Sequence, residues 1–356
     1  MFLNSPTYPG QIHADLMLGG FLLCFIAGFL MTAIPRFTET SSASQGEMIF
    51  AVFALLGLVI SSLVGVRIYF LLGVLLTLLG LVRYGAIRFI KRKTNPPFSF
   101  LFVGMGFLVG LMGFSLLALL ELQVVSSSRL FFLGRAMSYQ GMVLCFILGV
   151  GGRLIPGILG WTEIVHEQRA IYEKPTSFLK VLPPSMLLAG GVFITSFPVE
   201  SFLSLSTGRV LRALVVGWFA FQYWQLHHFP KTKTAHTLFL WLSSWMILVG
   251  SWLFALWTGK ALAGLHLIFI GGFSLMTLMI SARVTLAHGN QGLGFEAKKL
   301  PYYFIGLSLV LAAVTRLIAE LDPSIYLSHL GYAALSFFVG LLAWGWFFLP
   351  LKEWRT

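Results

Sequence analysis

Charge is what this sequence has least of. Only 10% of its 356 residues are charged, and twelve of them are acidic. Soluble domains carry about 25% charged residues, so this chain cannot build a water-facing shell. Cysteine is nearly absent. Cys24 and Cys145 are the only two, and each falls in an apolar run. They read as small buried residues, not as a disulfide. Lys and Arg are missing from Met1 to Gln11. With no basic segment ahead of the first apolar run, that first helix is expected to be retained. Strict polar–apolar alternation is missing too, which disfavours a membrane β-barrel.

Apolar side chains fill the space that charge leaves. They make up 58% of the residues, with 34 Phe, 10 Trp and 10 Tyr, and the mean hydropathy is +0.88. A spanning helix needs roughly 20 residues to cross a ~30 Å hydrocarbon core. Runs of about that length occur at 15–36, 48–66, 68–90, 98–120, 130–150, 180–199, 209–227, 238–258, 261–283, 302–319 and 327–349. The tenth is short and contains Arg316. The expectation is an all-α, polytopic transmembrane bundle of about eleven helices, one integral membrane domain over 1–356 with the lipid bilayer as its main partner.

The net charge of +12 does not point to nucleic acid, because its distribution follows the loops. Lys91-Arg92-Lys93, Arg153, Arg169, Lys174, Lys180, Lys231, Lys233, Lys298, Lys299, Lys352 and Arg355 fall in one set of connections. The other set holds little beyond Arg67, Arg129, Arg209 and Lys260. This is the positive-inside pattern. It predicts an outward N-terminus and a cytoplasmic C-terminus, which an odd helix count allows. The longest connection, Gly151 to Leu179, reads as a cytoplasmic loop, and Asn95-Pro96-Pro97 as a break before the fourth helix.

Eight histidines are the main chemical inventory. His13 precedes the first predicted span, His266 lies about five residues into the ninth, and His329 starts the last; all three belong to the outer side. His166, His227, His228, His236 and His288 belong to the inner side. His266 and His288 are 22 residues apart, ~33 Å on a continuous helix, too far to share a metal. His13 and His266 can share one if the first and ninth helices pack together. Imidazole suits haem iron and copper, although a histidine near a helix end is more often an interfacial residue. Adjacent His227 and His228 would point about 100° apart on a helix.

Arg83, Arg135, Arg212, Arg283 and Arg316 lie in or at the ends of spans. Each costs on the order of 3 kcal/mol to bury and wants a partner or a cavity; a haem propionate would serve one near the outer rim, and snorkelling covers Arg83 and Arg283. Acidic residues are almost absent from the spans, so no carboxylate chain for proton pumping is visible. Met31, Met276 and Met279 offer thioether sulfur but read as packing. Gly19, Gly20 and Gly28 in the first helix, and Gly264, Gly271 and Gly272 in the ninth, permit either close helix approach or room for a flat macrocycle.

Three segments together resemble a known family. The first runs from His13-Ala14-Asp15-Leu16-Met17-Leu18-Gly19-Gly20-Phe21 to Ile34-Pro35. The second is Gly151-Gly152-Arg153-Leu154-Ile155-Pro156. The third runs from His266-Leu267-Ile268-Phe269-Ile270-Gly271-Gly272-Phe273 to Arg283 and Ala287-His288-Gly289. Their identity and order are similar to the NnrS family of multi-spanning bacterial membrane proteins. The resemblance implies a haem b- and copper-containing protein of the bacterial cytoplasmic membrane, linked to nitric oxide metabolism and relief of nitrosative stress. It implies His13 and His266 as metal ligands, with His288 and Arg283 as further cofactor contacts. Family members usually have twelve helices, and here the first motif falls in the first of eleven. Their first motif typically reads His-Ala-His-Glu-Met, so Asp15 stands where a second histidine belongs. Ser243-Ser244 stand near another histidine position. A carboxylate can still bind a metal, which keeps Asp15 a candidate metal ligand beside His13 and His266, but it is harder than imidazole and suits copper less well, so haem with reduced copper is expected. The alternatives are a cofactor-free transporter or channel, whose buried Arg and broken helices would line a pathway, and an assembly subunit.

Overall fold

The computed structural model describes residues 10–161, 177–288 and 293–349. Among the described residues there is no strand. Eleven long helices follow one another: α1 Gly10–Thr38, α2 Gln45–Val64, α3 Arg67–Ile90, α4 Phe100–Glu121, α5 Ser128–Leu159, α6 Pro184–Leu203, α7 Leu205–Gln222, α8 Ala235–Leu256, α9 Thr258–Ala287, α10 Lys299–Leu321 and α11 Pro323–Phe348. All but α7 are long and apolar enough to cross a membrane. The chain is a multi-pass membrane protein: eleven helices are found where eleven were expected, and ten of them meet the length and hydropathy of a span.

Several boundaries differ from the sequence expectation. The tenth helix is not short: it runs 23 residues because Arg316 is accommodated by partners of its own. α1 begins at Gly10, so His13 lies inside the helix rather than before it. α7 ends at Gln222, short of the expected 227. The segment Gly151–Pro156 is helical, not loop. Pro156 sits inside the last turns of α5, and Gly160, at φ 93°, follows where the helix ends. Membrane helices tolerate proline because neighbours re-satisfy the freed backbone groups. The break at Asn95-Pro96-Pro97 is as expected.

Local chemistry explains the ends. Ser44 caps α2 in a reciprocal capping box with Glu47, and Thr234 does the same for α8 with Thr237. Ser127 and Ser204 cap α5 and α7 through their hydroxyls. Each capping oxygen satisfies an amide that the first turn leaves open. Gly65, at φ 78°, ends α2 in the left-handed conformation that glycine adopts without strain.

The chain divides into two compact units. One comprises 1–149 with 171–183, the other 150–170 with 184–356. In the first, α3 packs on α1, α2 and α4, and α4 packs on α5. In the second, α6 to α11 pack largely as sequential neighbours, with α8 also touching α10. Between helices in lipid the hydrophobic effect gives no net drive, so close packing and polar pairs decide association. Both are present. A Cβ on Gly264 of α9 would stand 2.4 Å from the backbone nitrogen of Phe254 on α8, and one on Gly19 of α1 would stand 2.2 Å from the Phe70 ring of α3. For Gly19, Gly264, Gly271 and Gly272 the choice left open by the sequence is therefore settled as close approach. Gly28 alone among the six has nothing within 4 Å of such an atom.

Cys24 and Cys145 are both free, as expected.

Candidate functional site

Among the described residues, six of the eight carboxylates hold arginines. Arg88 pairs with Glu47 at 2.9 Å, Arg283 with Glu296 at 2.8 Å and Arg316 with Glu320 at 2.7 Å. Glu200 takes both Arg209, at 2.9 Å, and the fully buried Arg212. Most of these pairings join residues far apart in sequence or on different helices, which is why spacing did not reveal them.

The densest network surrounds Asp15 in the first unit. Asp15 is buried. Its Oδ2 accepts from Nε of Arg67 at 3.1 Å, and its Oδ1 accepts from the hydroxyl of Tyr139. The same guanidinium donates to Glu121 and to the Tyr139 oxygen, each at 3.1 Å. The Gln11 amide lies against it as well, its oxygen 2.8 Å from Nη1. The network ties the first turns of α1 to α3, α4 and α5. His13, two residues before Asp15, is exposed. Residues two apart on a helix point about 200° from each other, so His13 and Asp15 face opposite ways.

His266 is the corresponding residue of the second unit. It is part-exposed on α9. A ring nitrogen, Nδ1, donates to the carbonyl oxygen of Leu262 one turn earlier, at 2.8 Å. A carbonyl can only accept, so in the neutral ring Nε2 carries the lone pair. This backbone-oriented tautomer is the arrangement typical of metal-ligating histidine. α9 is helical without a break from Ala261 through His288, which upholds the separation of His266 from His288. The side chain of His288 lies outside the described ones, as does all of His166.

Both motif helices change pitch next to their histidine. α1 is π-helical over Leu16–Leu22 and α9 over Leu267–Ser274. Each stretch contains a Gly-Gly-Phe triplet: Gly19-Gly20-Phe21 and Gly271-Gly272-Phe273. Further π stretches occur at Ala136–Gly141, which carries Tyr139, and at Val199–Leu203, which carries Glu200. Such segments are rare and concentrate at functional positions. Sequence periodicity did not reveal them, because a few residues of widened turn leave the apolar pattern intact.

The remaining histidines fall into place individually. His227 and His228 lie past the end of α7, so the 100° helical separation does not apply; their rings sit 4.0 Å apart, against Phe221 and Trp161. His329 is part-exposed and donates to the Ile325 carbonyl at 3.2 Å. His236 is fully buried. Among the described residues no three His, Cys, Asp or Glu side chains gather as a metal-binding group. Both oxygens of Glu296 accept from Nη1 of Arg283, a carboxylate standing where a cofactor's propionate would. Glu296 lies outside the spanning helices; burial pushes its carboxyl up from the ordinary value, against the opposing pull of Arg283.

No curated protein and no solved structure matches the chain. The family model described as NnrS protein matches residues 2–352. That is nearly the whole chain, and this multi-pass membrane protein belongs to the NnrS family.

Proposed function

We propose that this protein binds haem b in a bacterial cytoplasmic membrane and acts in nitric oxide metabolism or the response to nitrosative stress. Family membership supports the nitric oxide connection. The observation that carries the haem assignment is His266: its Nδ1–H donates to the Leu262 carbonyl, the backbone-oriented arrangement of a ligating imidazole. His13 is the other histidine that the resemblance implies as a metal ligand. Haem, when bound, supplies a redox-active iron that can take nitric oxide at an open coordination position.

The other residues act by positioning. Tyr139 and Arg67 hold Asp15 and so fix the turn of α1 that carries His13. In this account Asp15 is an anchor and not a copper ligand, because both its oxygens are already engaged and it faces away from His13. Copper is accordingly sub-stoichiometric. Arg283 is a propionate candidate only for a haem held at His288, because 17 residues of continuous helix, about 25 Å, separate it from His266.

The test is the optical spectrum of the purified protein. A Soret band is expected, with haem content lowered in His13→Ala and His266→Ala and unchanged in His227→Ala. Undiminished haem in both of the first two variants would move the ligands elsewhere, first to His288. Absence of a Soret band from protein made with ample haem would favour the cofactor-free transporter.

A further inference from the structure

Two guanidiniums share one carboxylate in the second unit. Glu200 lies in the π-helical end of α6, Val199–Leu203. Its Oε1 accepts from Nε of Arg209 at 2.9 Å, and its Oε2 accepts from Nη2 of Arg212. Arg212 is buried, and its Nη1 donates to the Ser196 hydroxyl at 3.3 Å. Its Nε donor has no partner among the described residues. Neither does the buried hydroxyl of Ser201, the residue after Glu200.

These groups are held in place from several sides. The Arg209 guanidinium lies over the Phe254 ring at 3.9 Å and donates to the Phe254 carbonyl at 3.3 Å. The Arg212 guanidinium lies over the Phe197 ring at 4.7 Å. A Cβ on Gly208 would stand 2.5 Å from the backbone nitrogen of Glu200 and from the carbonyl oxygen of Ser196. The first turn of α7 therefore presses directly on the end of α6. Swinging the arginines apart to separate their charges would break all of these contacts.

Charge balance decides what such a group takes. Two guanidiniums and one carboxylate leave one positive charge in excess, and among the described residues no other carboxylate pairs with either arginine. An uncompensated charge inside a membrane protein is costly and calls for a partner. Water would satisfy the open Nε donor but not the charge. A metal ion would be repelled, and a divalent anion would overshoot to net negative. One monovalent anion leaves the group neutral and supplies the acceptor that Nε lacks. The Arg209 side chain keeps 12% exposure against 3% for Arg212, and α6 ends beside it, so the approach is from the membrane face.

We infer that Arg209 and Arg212 hold one monovalent anion beside Glu200, taken either from solution or as the phosphodiester of a lipid headgroup. The anion enters past Arg209 and accepts from guanidinium N–H groups that Glu200 leaves open. Binding is reversible, and no covalent bond forms or breaks. The site uses none of the histidines and does not depend on haem.

The test is thermal unfolding of the full chain in phosphatidylcholine nanodiscs, with sodium gluconate replaced stepwise by sodium chloride at constant ionic strength. A ligand that binds only the folded state raises the midpoint, so the wild-type midpoint should rise with chloride and then saturate. Arg209→Gln leaves a neutral Arg212–Glu200 pair and should abolish the dependence. Glu200→Gln removes the competing carboxylate. Its midpoint should fall in gluconate and recover in chloride, with the half-maximal concentration lowered about tenfold, the equivalent of about 1.4 kcal/mol. A purely structural carboxylate would give no such recovery. In a second arm, phosphatidylglycerol replaces phosphatidylcholine without chloride. A rise there that is lost in Arg209→Gln assigns the anion to a lipid phosphodiester. A wild-type midpoint indifferent to both chloride and phosphatidylglycerol overturns the inference, as does a dependence that survives Arg209→Gln unchanged. If Arg209→Gln fails to fold, recovery of Glu200→Gln by chloride decides.

Discussion

Replacing Asp15 with alanine removes two hydrogen bonds at once, one from the Arg67 guanidinium and one from the Tyr139 hydroxyl. Bonds to charged groups contribute about 1.5–3 kcal/mol and neutral ones about 1 kcal/mol. Breaking a buried ion pair by removing one member costs about 3–5 kcal/mol. Glu121 and Gln11 still hold Arg67 in the variant, so the lower end applies and Asp15→Ala should cost about 3 kcal/mol. Tyr139→Phe leaves the ion pair intact but removes hydroxyl bonds to charged Asp15 and Arg67, and should cost about 2 kcal/mol. The double variant should cost less than the sum, because the two residues share one network. The assay is reversible unfolding in mixed micelles, followed by tryptophan fluorescence, with haem and copper measured on the same samples. A change within about 0.5 kcal/mol, the range of surface substitutions, would refute the anchoring role. So would loss of bound metal from Asp15→Asn with stability unchanged, which would make Asp15 a ligand.

Other substitutions test the packing and the topology. Gly264→Val brings new atoms against the backbone of Phe254 and Gly250 and should destabilise by about 3 kcal/mol in the same assay. Gly28→Ala meets nothing within 4 Å and should stabilise α1 by about 0.5–1 kcal/mol. Arg212→Leu leaves Glu200 with Arg209 alone and should cost about 3 kcal/mol, visible as a lowered unfolding midpoint. A periplasm-dependent reporter fused after Lys93 should be inactive; activity there would invert the proposed orientation.

The eleven helices were legible because ten of them are continuous apolar runs whose length bilayer thickness sets. The errors lie where a local rule met a tertiary partner. Arg316 made the tenth span look short, yet Glu320 one turn on accepts its charge. Pro156 and the mixed charges that follow made Gly151 to Leu179 read as one loop, while the helix continues through Pro156 to Leu159. Asp15 was visible as a departure from a histidine position, but its partners sit 52 and 124 residues away, and no spacing rule reaches that far. His236 was sorted with interfacial histidines by its place at a helix start. The Met279 carbonyl and the Tyr302 ring that enclose it come from two other helices.

The central claim is that His266 is a haem ligand, and the optical spectrum of purified wild-type and His266→Ala protein, prepared side by side with ample haem, tests it most directly. The account predicts a Soret band in the wild type and a clear loss of haem per polypeptide in the variant, with folding intact by tryptophan fluorescence. Equal haem content in the two proteins, with unshifted bands, would contradict it.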